Sequence, residues 1–210
     1  MYRVASIAFL FFTVFPAWAA DSNGDVLLLD VPFVVQAPLG SWDWPWQDFC
    51  EEASVVMAYA YTMNTPVGNL QGALMMLESA IFELKTFGYE KDTNVFETER
   101  VLREHFRYEK TRIIENPSVS VMKAEVKKGN VLLVPVAGRM LGNPYFVQPG
   151  PRYHMVLVRG FTASHFIVNE PGTKNGAGYR YPITVLMNAM HDLVPGNITE
   201  GRKAILVVEK

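Results

Sequence analysis

Apolar positions along the chain change period once, near residue 130. Before that point they recur at helical spacing. In "NLQGALMMLESAIFELK", Leu70, Leu74, Leu77, Ile81 and Leu84 follow one another at steps of four and three. This predicts a helix from Asn69 to Lys85, ended by Gly88, with its Met and aromatic positions in the core. "NVFETERVLREHF" predicts a more charged helix, and "SVSVMKAEVKKGN" another, stopped by Gly129. From Ala53 to Tyr61 the chain is apolar nearly all round, which marks a buried central helix. Asp48 suits its N-cap, and Glu51 follows at capping-box spacing. Beyond residue 130 come "VLLVPVAG", "HMVLVRGF", "HFIVNEP" and "AILVVEK", short Val/Ile/Leu runs bounded by Gly, Asn and Pro that predict strands. The middle two are separated by "TAS", a hairpin-length gap. An earlier strand is expected in "DVLLLDVPFVVQAP", limited by Pro32 and Pro38. Helices first and strands after predict an α+β fold, an antiparallel sheet packed on helices. No repeat or linker divides residues 20–210, so they are read as a single domain.

The first residues, "MYRVASIAFLFFTVFPAWAADSNG", follow another pattern. Arg3 precedes an apolar run from Val4 to Phe15, then Ala17-Trp18-Ala19 and a polar stretch. This is the pattern of a signal peptide over residues 1–19, cleaved near Ala19 or Ala20, and it predicts export to the periplasm or the exterior. The run is shorter than a membrane span of about 20 residues. No later run is longer, so no stable membrane insertion is expected after cleavage. The 210 residues are 50% hydrophobic and 12% aromatic, enough to build one core. Net charge is −2 with Lys and Arg scattered, which argues against a nucleic-acid partner.

Export sharpens the question of the single cysteine, Cys50. It cannot form an internal disulfide, so it is either a small buried hydrophobe or a reactive thiol. In the first turn of a helix, backbone N–H groups and the helix dipole favour a thiolate, whereas Glu51 and Glu52 oppose it. A cationic partner is needed, and His154 is the best placed, at a strand start after the loop "GNPYFVQPGPRY". In a hairpin the end of the next strand, Asn169-Glu170-Pro171, lies beside that start. A polar side chain there can orient the imidazole. Neighbouring strand residues point to opposite faces, so either Glu170 or Asn169 faces His154. Trp42, Trp44 and Trp46, with Tyr145 and Tyr153, are candidates to line a substrate groove, rimmed by "GTKNGAG". His105 reads as solvated, His165 as facing water, and His191-Asp192 as a cap or fold contact. Four widely spaced histidines form no zinc pattern and no phosphate loop is present, so no metal or cofactor is expected.

Taken together, "VPFVVQAP…W…CEEASVVMA", "GNPYF…PGPRYHMVLVRGF", "FIVNEPGTKNGAGYRYP" and "VLMNAMHD", spread from Asp30 to Asp192, resemble the bacterial C39-like cysteine peptidases of the papain-like superfamily. The resemblance implies a papain-like fold, with a nucleophile helix packed against a bent antiparallel sheet that carries the base. It implies Cys50 as nucleophile and His154 as general base. The orienting group falls at Glu170, where many relatives have Asp, or at Asn169, by analogy with papain-type enzymes. The oxyanion donor is Gln36, which matches the family motif, or the nearer Gln47, acting with the Cys50 N–H. The implied activity is hydrolysis of peptide or amide bonds in a peptide or protein substrate. The alternatives are a catalytically inactive peptide-binding module and a cell-wall peptide hydrolase.

Overall fold

The structure is a computed structural model that describes residues 26–210. The expected signal peptide lies outside the described residues. In chain order the elements are β1 (Leu27–Leu28), α1 (Cys50–Thr62), α2 (Asn69–Thr86), α3 (Val95–Arg100), β2 (Thr111–Glu115), α4 (Val119–Lys127), β3 (Val131–Val136), β4 (His154–Phe161), β5 (His165–Asn169), β6 (Tyr179–Pro182), α5 (Ile183–Ala189) and β7 (Ala204–Val208). The strands form one antiparallel sheet in the order β2-β7-β3-β4-β5-β6, with β1 also paired to β4. The fold is α+β, as the element order predicts.

Every residue of β3 and β7 is buried. Both faces of the sheet are covered, which is why these strands read as unbroken apolar runs rather than alternating ones. On one face Leu133, Met155, Leu157 and Leu206 pack with Ala53, Val56 and Met57 of α1. On the other, Val134, Val156, Val158 and Ile205 pack with Met122 and Val126 of α4 and Leu186 of α5. Each fully buried side chain of this kind contributes roughly 1.5–3 kcal/mol. That packing, not a cap, places α1. Its N-cap residue is Phe49, which makes no side-chain capping bond. Asp48 instead lies in a 3-10 turn, Trp46–Asp48, and Glu51 turns its carboxyl elsewhere, so the expected capping box does not form. A cap is worth about 1 kcal/mol, less than one buried side chain.

α2 spans almost the expected residues, and its Met and aromatic positions face the core as expected, with Met76 buried and Met75 and Phe82 packed against the same cluster. Leu70, Leu74, Ile81 and Leu84 are more than half exposed, whereas Gly72, Ala73, Met76, Ser79, Ala80 and Glu83 are buried. Gly72 sits on the inner face where Val34 of the incoming chain packs onto α2. A Cβ on Gly72 would stand 2.9 Å from Val34 Cγ1. Two strands have no forerunner in the pattern: β2, whose "TRIIE" is short and flanked by charge, and β6, whose "YRYP" follows the expected rim loop "GTKNGAG".

Candidate active site

Cys50 is the first residue of α1 and His154 the first of β4. α1 packs across β4, so the two starts meet at one end of the sheet. Both side chains are buried yet line the same cleft of about 1070 Å³. Its walls come from the turn before α1, from the connection between β3 and β4, and from residues 172–175 after β5.

β5 ends in register with β4 at the pair Leu157–Asn169. Glu170 follows immediately, and its Oε1 hydrogen-bonds His154 Nε2. The same oxygen accepts the Gly172 N–H at 2.9 Å. The other, Oε2, accepts the Tyr181 hydroxyl at 2.9 Å, and that hydroxyl accepts from Asn143 Nδ2 at 2.7 Å. The buried carboxyl is thus fixed from three sides, and the imidazole with it. Phe146 meets the His154 ring edge-on, centroids 5.4 Å apart. With Nε2 engaged by Glu170, Nδ1 is the ring nitrogen left for other chemistry. Gly172 leaves the imidazole its room, since a Cβ there would stand 3.0 Å from His154 Cε1 and 2.9 Å from Phe146 Cε1.

Asn169 is equally buried but serves a different purpose. Its Oδ1 accepts from Arg159 and from the Gly178 N–H, and its Nδ2 donates to the Val31 and Pro32 carbonyls. It ties the incoming chain to β5 and makes no bond to His154. Of the two candidates, Glu170 is the one brought onto the histidine.

The surroundings of Cys50 differ from the sequence expectation. Its thiol donates to Glu51 Oε2 at 2.9 Å, and no hydrogen bond joins it to His154. Burial, followed by the charges of Glu51 and Asp92, pushes the thiol pKa well above its ordinary value. The helix start therefore does not by itself yield a thiolate, because desolvation and neighbouring acids outweigh the dipole. Asp92 was not singled out by the sequence. It lies in an ordinary charged loop, "YEKDTN", and only the fold brings it into the cleft. Its own pKa is raised by burial and by Asp48.

Gln36 is buried against the turn preceding Cys50. Its Nε2 donates to the Trp46 carbonyl at 3.0 Å and to that of Gln47 at 2.9 Å, so both amide protons are engaged. Its backbone N–H donates to Pro171, next to Glu170. Gln47 is exposed on the cleft and spends one amide proton on Asp48 Oδ2. Trp42, Tyr145 and Tyr153 line the cleft, whereas Trp44 and Trp46 do not. Trp46 turns inward and meets Phe49 edge-on at 5.4 Å, and Trp44 projects outward, 69% exposed. The Tyr153 hydroxyl is committed to the Thr93 carbonyl at 2.8 Å. Of the remaining histidines, His105 stacks on Phe82 and is half-buried rather than solvated, and His165 bonds Ser164. Asp192 accepts from the Val95 N–H at the start of α3, a fold contact as expected.

One solved structure similar to this chain is of a protein described as a C39-like peptidase from Bacillus anthracis. It is 15% identical, with a TM-score of 0.57 and coverage of 89% of this chain and 98% of that one. Another, a double glycine motif protease from an AMS/PCAT transporter in complex with the leader peptide, is 13% identical, with a TM-score of 0.45 and coverage of 87% and 94%. No curated protein matches the sequence. The former likeness is one of fold. The family is given by the sequence itself, which matches the Peptidase C39-like family model over residues 28–192, most of the chain. The chain belongs to the Peptidase C39-like family.

Proposed function

We propose that the protein is an exported cysteine peptidase that hydrolyses peptide or amide bonds in a peptide or protein substrate. The observation that carries this reading is the shared cleft of Cys50 and His154, with His154 held by Glu170. Cys50 Sγ attacks the scissile carbonyl carbon as its proton passes to His154 Nδ1. The oxyanion is met by the Cys50 N–H at the head of α1 and by the uncommitted Gln47 amide proton. His154 then gives the proton to the leaving amine, which departs and leaves a thioester on Cys50. Water attacks that thioester with His154 as base, releasing the acid and restoring the thiol. Glu170 orients the imidazole throughout. Export rests on the pattern of residues 1–24.

The test is turnover of a pooled fluorogenic peptide library by the parent protein, Cys50→Ser and His154→Ala. Hydrolysis by the parent that both variants lose supports the reading, and equal hydrolysis by Cys50→Ser sinks it. A second reading, a peptide-binding module without turnover, is favoured by the thiol's bond to Glu51 in place of one to His154. Peptide binding by the parent with no cleavage of any library member would select it.

A further inference from the structure

Glu51 touches Cys50 directly, and no step above uses it. Its carboxyl is buried, 1% exposed, and both oxygens accept: Oε2 from the Cys50 thiol at 2.9 Å, Oε1 from the Thr93 N–H at 3.0 Å. Each oxygen therefore has one partner, a backbone N–H on one side and the thiol on the other. Thr93 is gripped from its other side too, because its carbonyl accepts the Tyr153 hydroxyl at 2.8 Å. Tyr153 is the residue before His154. A continuous path therefore runs from the thiol through Glu51, Thr93 and Tyr153 to the histidine's own backbone. It joins the nucleophile helix to the start of β4.

We propose that Glu51 is a positioning residue of this site, which shares one proton with Cys50, holds the nucleophile as a thiol in the free protein, and fixes it relative to His154 through Thr93 and Tyr153. The inference rests on the peptidase reading above and assigns its resting state. Thiol and carboxyl are adjacent acidic groups in direct contact, so they titrate as a pair. The groups facing that pair are Glu52 on the same helix, Asp92 from the loop before α3, Tyr153, and His154 in the same cleft. Only His154 can become cationic, and it is bonded to Glu170 rather than to the thiol. Burial and Asp92 push the Glu51 carboxyl up, as burial and Glu51 push the thiol up. A neutral thiol is the slowly oxidised form, since the thiolate is the reactive species.

The experiment is alkylation of Cys50 by iodoacetamide against pH, in the absence of substrate. The sole cysteine makes the signal specific. The parent is expected to label slowly at pH 7 and to accelerate only above the ordinary thiol value of about 8.5. Fast labelling of the parent at pH 7 would overturn the proposal without any variant. Glu51→Gln keeps an acceptor for Thr93 and turns the other arm into a donor towards sulfur. It is expected to label about tenfold faster at pH 7, a shift of about one pKa unit or more. An unchanged profile would overturn the proposal. Tyr153→Phe releases Thr93 from the opposite side and leaves the carboxyl in place, so it is expected to shift the profile less than Glu51→Gln does. A shift as large as that of Glu51→Gln would assign the effect to the Thr93 loop and refute the shared proton. Adding His154→Ala separates this inference from the reading beneath it. Fast labelling in Glu51→Gln that persists without the histidine upholds the Glu51 hold and counts against the Cys–His pair. Fast labelling that is lost upholds both.

Discussion

Glu170 lies one residue beyond the end of β5, yet its Oε1 meets His154 Nε2 at the start of β4. The hairpin register leaves Leu157–Asn169 as the last pair, so Asn169 is held in the sheet edge while Glu170 is released to reach back. The longer side chain suits that reach. Glu170→Gln keeps size and shape but removes the charge that stabilises an imidazolium. It is expected to lower kcat about 10²–10⁴-fold with little change in melting temperature. Asn169→Ala is expected to do the reverse, lowering the melting temperature by freeing the Val31 and Pro32 carbonyls. Steady-state kinetics and thermal melts of the two variants check the division.

Tyr181 and Asn143 hold Glu170 from behind. Tyr181→Phe deletes the hydroxyl that links them. A buried carboxyl oxygen and a buried amide then each lose a partner, a cost of roughly 1–3 kcal/mol per group. The variant is expected to melt several degrees lower and to retain part of its activity, since the Gly172 N–H still holds Oε1. Full activity at an unchanged melting temperature would show that this bond contributes nothing.

Gly172→Ala tests the packing of the site. Its methyl would press on His154 Cε1 and the Phe146 ring. Overpacking of this kind costs typically 1–3 kcal/mol. The displacement falls on the imidazole, so hydrolysis is expected to drop at least tenfold while most stability remains. Retained turnover would mean that the His154–Phe146 contact yields without moving Nδ1.

The strands that pack on both faces were legible, because burial on two sides leaves an unbroken apolar run. Cys50, His154 and the Asn-Glu-Pro turn were legible because each stands at an element's end, where the pattern breaks. The inward face of α2 was legible only in part. Its Met and aromatic positions do face the core, but Gly72 lies inward because Val34 of the incoming chain packs onto it, a contact that no local spacing encodes. The environment of Cys50 was not legible. Glu51 could be read as a capping residue only by ignoring Thr93, which lies 42 positions away. Asp92 reaches the cleft by a fold contact that no local spacing encodes.

Glu52 and Glu83 meet between α1 and α2, each 1% exposed. Neither Glu52 oxygen nor Glu83 Oε2 meets another donor, so a proton shared between the two carboxyls supplies the missing bond. Burial pushes Glu83 up to about 8, with the charges of Glu97 and Glu90 adding to the rise. A carboxyl raised in the folded state binds its proton more tightly there than in the unfolded chain. Its contribution to stability is fully present below the unfolded value of about 4.3 and is lost as pH rises through the folded value. The melting temperature is therefore expected to fall between pH 5 and pH 8. Glu83→Gln removes the titration and supplies an amide donor to Glu52 in its place. It is expected to flatten that slope and to melt about 2–4 °C above the parent at pH 8 for each kcal/mol recovered. Melts of both proteins across that range decide it. Parallel curves would mean that the pair ionises without strain and that α1 and α2 are held by their apolar contacts alone.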